Sequence, residues 1–161
     1  MNIYAFKNRR NPIGRLMSLS WTEFIAKLRE PVVTDESISE YADMSNEERT
    51  DIKDVGGYIA GELEGGRRSK ATVKNRCIVT IDADEASWQD WAHFTADNPA
   101  LCACCHSTHS STPDSPRLRW LFPLSRPVTA DEYRLIAQEL SRTVGADTVD
   151  ESTDQPERLM F

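Results

Sequence analysis

The sequence predicts an α+β fold: a mainly antiparallel sheet of the split βαβ kind with helices on one face, preceded by an N-terminal α/β module. Three observations carry that expectation. Residues 76–161 run in the order strand, helix, strand, strand, helix, short strand, which is the order of a split βαβ unit. The stretch Arg76-Cys77-Ile78-Val79-Thr80-Ile81-Asp82-Ala83-Asp84 is an apolar, β-branched run that ends in two carboxylates one residue apart. Capping boxes open the expected helices, as in Ser20-Trp21-Thr22-Glu23, Ser45-Asn46-Glu47-Glu48 and Thr129-Ala130-Asp131-Glu132.

In chain order, Ile3-Tyr4-Ala5-Phe6 has strand character and is followed by the basic turn Lys7 to Pro12. Trp21, Phe24, Ile25 and Leu28 recur at helical spacing until Pro31, which gives a core-facing helix. Residues 31–44 are acidic and read as irregular, and the Ser45 cap opens a short helix toward Asp54. Five glycines within residues 56–66 frame a short apolar element, and their spacing matches neither a P-loop nor a dinucleotide fingerprint, so they read as hairpin turns. After the Asp82/Asp84 strand, Ser87 caps a helix carrying Trp88, Trp91 and Ala92, which stops at Asn98-Pro99. Leu101 to His109 reads as a second strand, and a turn-rich loop leads to a third, antiparallel strand over Arg117 to Phe122. Tyr133, Ile136, Ala137, Leu140 and Val144 then form a helical stripe closed by Gly145. The expected division is 1–75, an N-terminal α/β module with a Gly-rich basic segment, and 76–161, the split βαβ module, both parts of one domain.

At 161 residues, 39% of them hydrophobic, the chain can bury one core. It contains no apolar run of the roughly 18 residues a membrane span needs, and its start lacks a signal-peptide core, so a cytoplasmic protein is expected. Cys77, Cys102, Cys104 and Cys105 read as buried free thiols, since three of them crowd into four residues of an expected strand, although His106 could join Cys102 or Cys104 on one face. The net charge of −7 argues against holding nucleic acid by bulk electrostatics. Its distribution is uneven: residues 35–54 carry eight acids against Arg49 and Lys53, whereas 67–76 holds Arg67, Arg68, Lys70, Lys74 and Arg76 with no acid.

Period-two alternation applied to the three strands gathers a polar set on the face opposite the helices. Asp82 and Asp84 share that face; Ser107 and His109 are expected to join them, leaving Cys104, His106 and Thr108 toward the helices or an edge. Arg117 and Arg119 share it as well, with Leu118, Trp120 and Phe122 on the core side. Paired carboxylates suit Mg²⁺ or Mn²⁺, arginines grip phosphate oxygens bidentately, and His109 and the Ser107 hydroxyl can donate to further oxygens, a set suited to phosphoryl or nucleotidyl transfer. A third carboxylate is wanted, and Asp147, Asp150, Glu151 and Asp154 offer it.

These residues carry a resemblance. The chain resembles the primase-polymerase domain of the archaeo-eukaryotic primase superfamily, as found in phage and plasmid replication proteins ahead of a helicase. Three motifs mark that superfamily: an apolar strand ending Asp-x-Asp/Glu, a small-x-His and an apolar-Asp, matched here by Ile81-Asp82-Ala83-Asp84, Ser107-Thr108-His109 and Val149-Asp150. Lys53 to Tyr58, Gly65 to Arg68, Pro116 to Arg119 with Pro123 to Thr129, and Asp150 to Phe161 match the phage branch, so the likeness covers roughly residues 45–161. The resemblance implies an RRM-like catalytic sheet and a two-metal Mg²⁺ or Mn²⁺ site on Asp82, Asp84 and Asp150, with His109 beside it. Ser107, His109, Arg117 and Arg119 would bind the nucleotide, and local basic patches at Arg67, Arg68, Lys70 and Lys74 the DNA. It further implies a single-stranded DNA template, NTP or dNTP as substrate, a helicase on the same or a partner chain, and primer synthesis or extension as the activity. The residues leave open two other readings: a non-catalytic nucleotide- or nucleic-acid-binding module, and a metal-dependent nuclease.

Overall fold

The computed structural model describes residues 1–145 and 149–161. Its elements are β1 (Asn2–Phe6), β2 (Arg15–Ser18), α1 (Trp21–Leu28), α2 (Ile38–Asp43), α3 (Asn46–Ile52), β3 (Gly57–Leu63), β4 (Val73–Ala83), α4 (Trp88–Asp97), β5 (Cys104–Ser107), β6 (Leu118–Val128) and α5 (Ala130–Val144). Each helix starts on a complete capping box, in which a Ser or Thr hydroxyl takes the third amide and an acid returns to the cap amide. The signature Ser37-Ile38-Ser39-Glu40 opens α2 inside the stretch expected to be irregular, where the helix has no buried residue and so no apolar periodicity to mark it. β2 was likewise not expected: four residues, three of them exposed, form an edge strand beyond the basic turn.

The six strands make one antiparallel sheet in the order β2-β1-β3-β4-β6-β5. On one face α4 and α5 cover Val79, Ile81, Ala83, Leu118, Trp120 and Phe122, with Phe94, Tyr133 and Ala137 completing the layer. Trp120 is its centre, 5.0 Å from Phe94 and 5.1 Å from Trp91 between ring centroids. The opposite face is half covered rather than open. Ile78 and Leu121, which alternation sends there, pack with Phe24 of α1, Ile3 and Ala60. Asp82, at the C-terminal end of β4, and Arg119, at the start of β6, lie on this face opposite one another.

β3 pairs with β4 only over Gly61–Leu63 and Val73–Arg76. Gly61, at φ +149, permits a crossing in which a Cβ would stand 2.0 Å from the Asn75 carbonyl oxygen. Beyond that point the C-terminal segment bonds both strands: Val149 bridges Ala83, the Asp150 amide donates to the Asp82 carbonyl at 2.9 Å, and Met160 bridges Tyr58. Arg76, expected in the basic segment, is instead fully buried at this junction. Its Nε donates to the Ala60 carbonyl at 2.8 Å, Nη1 to the Pro156 carbonyl, and the guanidinium lies 4.6 Å from the Tyr133 ring. A site where separate backbones meet needs donors for their carbonyls, and an arginine supplies them. Among the described residues no helix is long and apolar enough to cross a membrane.

Candidate active site

Cross-strand register sets the site. Asp82 on β4 stands opposite Arg119 on β6, and Arg119 opposite His106 on β5, so these three form one row on the face away from α4 and α5. Asp82 is 5% exposed because β6 bonds one edge of its strand and the C-terminal segment the other. Its Oδ1 accepts from Arg119 Nε at 2.6 Å and its Oδ2 lies 2.7 Å from Arg158 Nη2. The same Nη2 is 2.8 Å from Asp150 Oδ2, while Asp150 Oδ1 takes the Ser152 amide and hydroxyl, each at 2.8 Å. Burial pushes the Asp150 carboxyl up, but the Ser152 and Arg158 hydrogen bonds outweigh it and hold the group below its ordinary range. Burial also works against the Arg119 charge; Asp82 more than offsets it, so the guanidinium stays protonated. Asp84 lies just past the end of β4 and is half exposed, with Arg117 Nη1 at 3.0 Å from its Oδ2. Asp82–Arg119 is thus a rung between two paired strands, and Asp84–Arg117 is a second rung just beyond their ends.

His109 does not join this row. β5 ends at Ser107, so alternation no longer governs the two residues that follow. Register sets the strand one residue out of phase with the expectation: Ser107 is paired with Leu118, whose side chain packs toward the helices, and His106 takes the polar face. Burial holds the His106 imidazole below its usual pKa, Nδ1 lies 2.7 Å from the Ser107 carbonyl, and its buried Nε2 has no hydrogen-bond partner. His109 instead turns toward the segment before α2. Its Nε2 lies 3.1 Å from Glu36 Oε1 and 3.0 Å from Thr34 Oγ1, and its ring centroid is 4.8 Å from that of Tyr41. The Thr34 hydroxyl, with His109 adding to it, holds the Glu36 carboxyl below its ordinary range.

Between residues 32–53 and the loop 109–117 lies a cleft of about 760 Å³, lined among others by Glu36, Tyr41, Arg49, Lys53, His109 and Arg117. Arg117 belongs both to this cleft and to the Asp84 rung, so cleft and carboxylates are contiguous through one guanidinium.

The remaining basic residues are elsewhere. Arg67, Lys70 and Lys74 are exposed on the β3–β4 connection and the start of β4. Lys74 is separated from Asp82 by eight residues of strand, roughly 26 Å at about 3.3 Å per residue. Arg68 is drawn inward, donating to the Arg9 carbonyl at 2.6 Å and lying 5.8 Å from the Phe6 ring. Asp154 accepts from Gln138 on α5, and Asp147 lies outside the described residues.

As for a divalent cation, no group of three His, Cys, Asp or Glu side chains converges as a cage among the described residues. The donor set nonetheless suits one. A single cationic nitrogen, Arg158 Nη2, sits within 2.8 Å of a carboxylate oxygen from Asp82 and from Asp150, standing where a hard cation would be held by the same two oxygens. Arg158 and His106 were not picked out as site residues from the sequence. Arg158 lies inside the Asp150 to Phe161 stretch, and the return of that segment beside β4 is what brings it to Asp82 and Asp150.

The family described as the VapE N-terminal domain matches residues 1–161. No curated protein matches the chain. Among solved structures, the AEP domain of the cyanophage S-2L primase-polymerase (PrimPol) is similar at 13% identity, covering 99% of this chain and 70% of that one, with a TM-score of 0.49.

Proposed function

We propose that the chain, which belongs to the VapE N-terminal domain family, is a metal-dependent, template-directed nucleotidyltransferase that makes or extends primers on single-stranded DNA. The observation that carries the reading is the continuity of the acidic rungs with the cationic cleft through Arg117, which bonds Asp84 and faces the cleft at once. A nucleoside triphosphate laid in that cleft would set its polyphosphate against cations and its α-phosphorus toward carboxylates. Asp82 and Asp150, with Asp84 beside them, would hold Mg²⁺ or Mn²⁺ once Arg158 withdraws. A cation bound there neutralises phosphate oxygens and lowers the pKa of a primer hydroxyl. Arg119 fixes the Asp82 carboxylate, Arg117 takes phosphate oxygens on the cleft side, and His109, freed from Glu36, donates to another. The primer 3′-hydroxyl would lose its proton to water, and its oxygen would bond to the α-phosphorus as the bond to pyrophosphate breaks. Ser107 has no part in this reading, since its pairing with Leu118 turns it from the carboxylate face. Arg67, Lys70 and Lys74, exposed at the opposite end of β4, suit the template strand, and a helicase, on the same or a partner chain in a bacterial host, would supply it.

One observation favours a second reading, a binding module without turnover: Arg158 satisfies Asp82 and Asp150 in place of a metal. The two separate in one assay with single-stranded template, each nucleotide set, and Mg²⁺ or Mn²⁺. Asp84→Asn, on a half-exposed side chain, and the double Asp82→Asn/Asp84→Asn variant should abolish synthesis while the former keeps the fold. Synthesis at the original rate in Asp84→Asn and the double variant overturns the assignment.

A further inference from the structure

We infer that Arg49 and Lys53 of the α3 region bind the polyphosphate of the nucleotide, so that the α2–α3 segment forms one wall of an anion site and His109 and Arg117 the other. This rests on the nucleotide-handling reading and extends it to an element that reading does not use. The first ground is how α3 sorts its charges. Asp51 and Asp54 are engaged by the N-terminal basic turn: Arg9 Nη2 reaches Asp51 at 2.6 Å and the Arg9 amide donates to Asp54 Oδ1 at 2.6 Å. Arg49 and Lys53, one helical turn apart, line the cleft instead. Two like charges at that spacing repel, and a bound anion relieves the repulsion.

The second ground is that these cations lack acidic partners in a strongly acidic chain. Lys53 follows the last turn of α3 and makes no side-chain hydrogen bond or ion pair among the described residues. Arg49 meets no carboxylate there either; Nη2 donates to the Ala42 carbonyl, the guanidinium lies 5.6 Å from the Tyr41 ring, and its buried Nε has no partner. With 26 acids against 19 bases, a chain that leaves two cations unpaired side by side in a cleft has concentrated its positive potential there. Third, the cleft's geometry aligns these groups. Tyr41 lies between Arg49 and His109, and its hydroxyl is 2.9 Å from Ser110 Oγ, which ties the α2 wall to the loop carrying His109. Glu36, the one acid lining the cleft among the described residues, is already held by Thr34 and His109. Arg117 closes the far side against Asp84, so a polyphosphate gripped at Arg49 and Lys53 extends toward the carboxylates. A cleft of about 760 Å³ accommodates a nucleotide.

The test is calorimetric titration of the full chain with inorganic tripolyphosphate, deoxyadenosine triphosphate and adenosine, in EDTA so that the carboxylates contribute no metal-bridged affinity. Tripolyphosphate and the triphosphate should bind and adenosine bind far more weakly. Lys53→Gln should weaken both phosphorylated probes by about ten-fold or more, and Lys53→Arg should restore most of that loss. Arg49→Gln should act in the same direction, but Arg49 also anchors α2, so Lys53→Gln, with its fold checked by circular dichroism, is the deciding variant. Equal affinity of Lys53→Gln and wild type, or no binding of either phosphorylated probe by wild type, overturns the inference. Lys53-dependent tripolyphosphate binding by a protein that makes no primers keeps the inference and removes the nucleotidyltransferase reading. Primer synthesis with an unchanged nucleotide KM in Lys53→Gln keeps that reading and removes the inference.

Discussion

Replacing Arg119 by Met tests whether the buried carboxylate row is held as described. Asp82 and Arg119 have side-chain exposures of 7% and 8% and meet at 2.6 Å, so neither charge has water to fall back on. Deleting one member of a buried ion pair typically costs about 3–5 kcal/mol, because the survivor stays buried and uncompensated. Arg119→Met leaves Asp82 with Arg158 at 2.7 Å, a partner whose side chain is 21% exposed, which places this variant at about 3 kcal/mol, the low end. Asp82→Asn leaves the Arg119 charge hydrogen-bonded, among the described residues, to the Phe161 carbonyl, with a neutral amide beside it and the Asp84 charge farther off, which places it nearer about 5 kcal/mol. Removing both charges with Asp82→Leu and Arg119→Met leaves no orphan at this rung, and such replacements are often close to neutral. The double variant should therefore be more stable than Asp82→Asn alone. Urea unfolding of wild type, the single variants and the double variant measures this, with m-values compared to check that the denatured state is unchanged. Single-variant losses below about 1 kcal/mol, or a double variant whose loss equals the sum of the losses of Arg119→Met and of a separate Asp82→Leu single, would refute the description of the row as a buried, mutually dependent pair.

Four further outcomes follow from particular contacts. Gly61→Ala should destabilise by more than about 2 kcal/mol, since φ is +149 and the new Cβ would meet the Asn75 carbonyl at 2.0 Å; a Tm within a degree of wild type contradicts the close crossing of β3 and β4. Burial pushes the Cys105 thiol up to about 12 and the Cys77 and Cys104 thiols in the same direction, whereas Cys102 is exposed, so a thiol reagent at pH 8 should label one cysteine quickly in the native protein. Arg126, with the Thr129 amide, lowers the Glu132 carboxyl to about 2; a depressed acid contributes stability present above its unfolded pKa and lost only as pH falls through the folded value, so a carboxyl NMR titration should leave Glu132 ionised at pH 3, and a midpoint above 4 contradicts the pairing. Arg158→Met frees the carboxylates of Asp82 and Asp150, so Mn²⁺, followed by its paramagnetic resonance signal, should bind more tightly to the variant; unchanged affinity removes the notion that guanidinium and metal share one position.

The helices were legible because their signals are local. Ser20, Ser45, Ser87 and Thr129 each cap a helix within three residues, and a hydrogen bond of that range depends on nothing distant. α2 carries the same signature at Ser37, and since neither α2 nor α3 buries a residue, the cap is the signal that marks both. The alternation of β4 and β6 was legible for the same local reason, which placed Asp82 opposite the core and Arg119 with it before any pairing was known. What alternation within a strand does not fix is the phase between strands. Pairing of His106 with Arg119 depends on where the loop between β5 and β6 closes, and one residue of slip exchanges His106 for Ser107 on the polar face. His109 lies past the strand, so its partners Glu36 and Thr34, more than seventy residues earlier, follow from tertiary packing alone.

Strand period and residue type are properties of neighbours along the chain, so an apolar strand ending in two acids, and two arginines sharing one face of a later strand, can be read without the fold. The meeting of the C-terminal segment with the open edge of β4, which brings Arg158 between Asp82 and Asp150, cannot be read that way, because a buried carboxylate takes its cation from whatever the packing delivers.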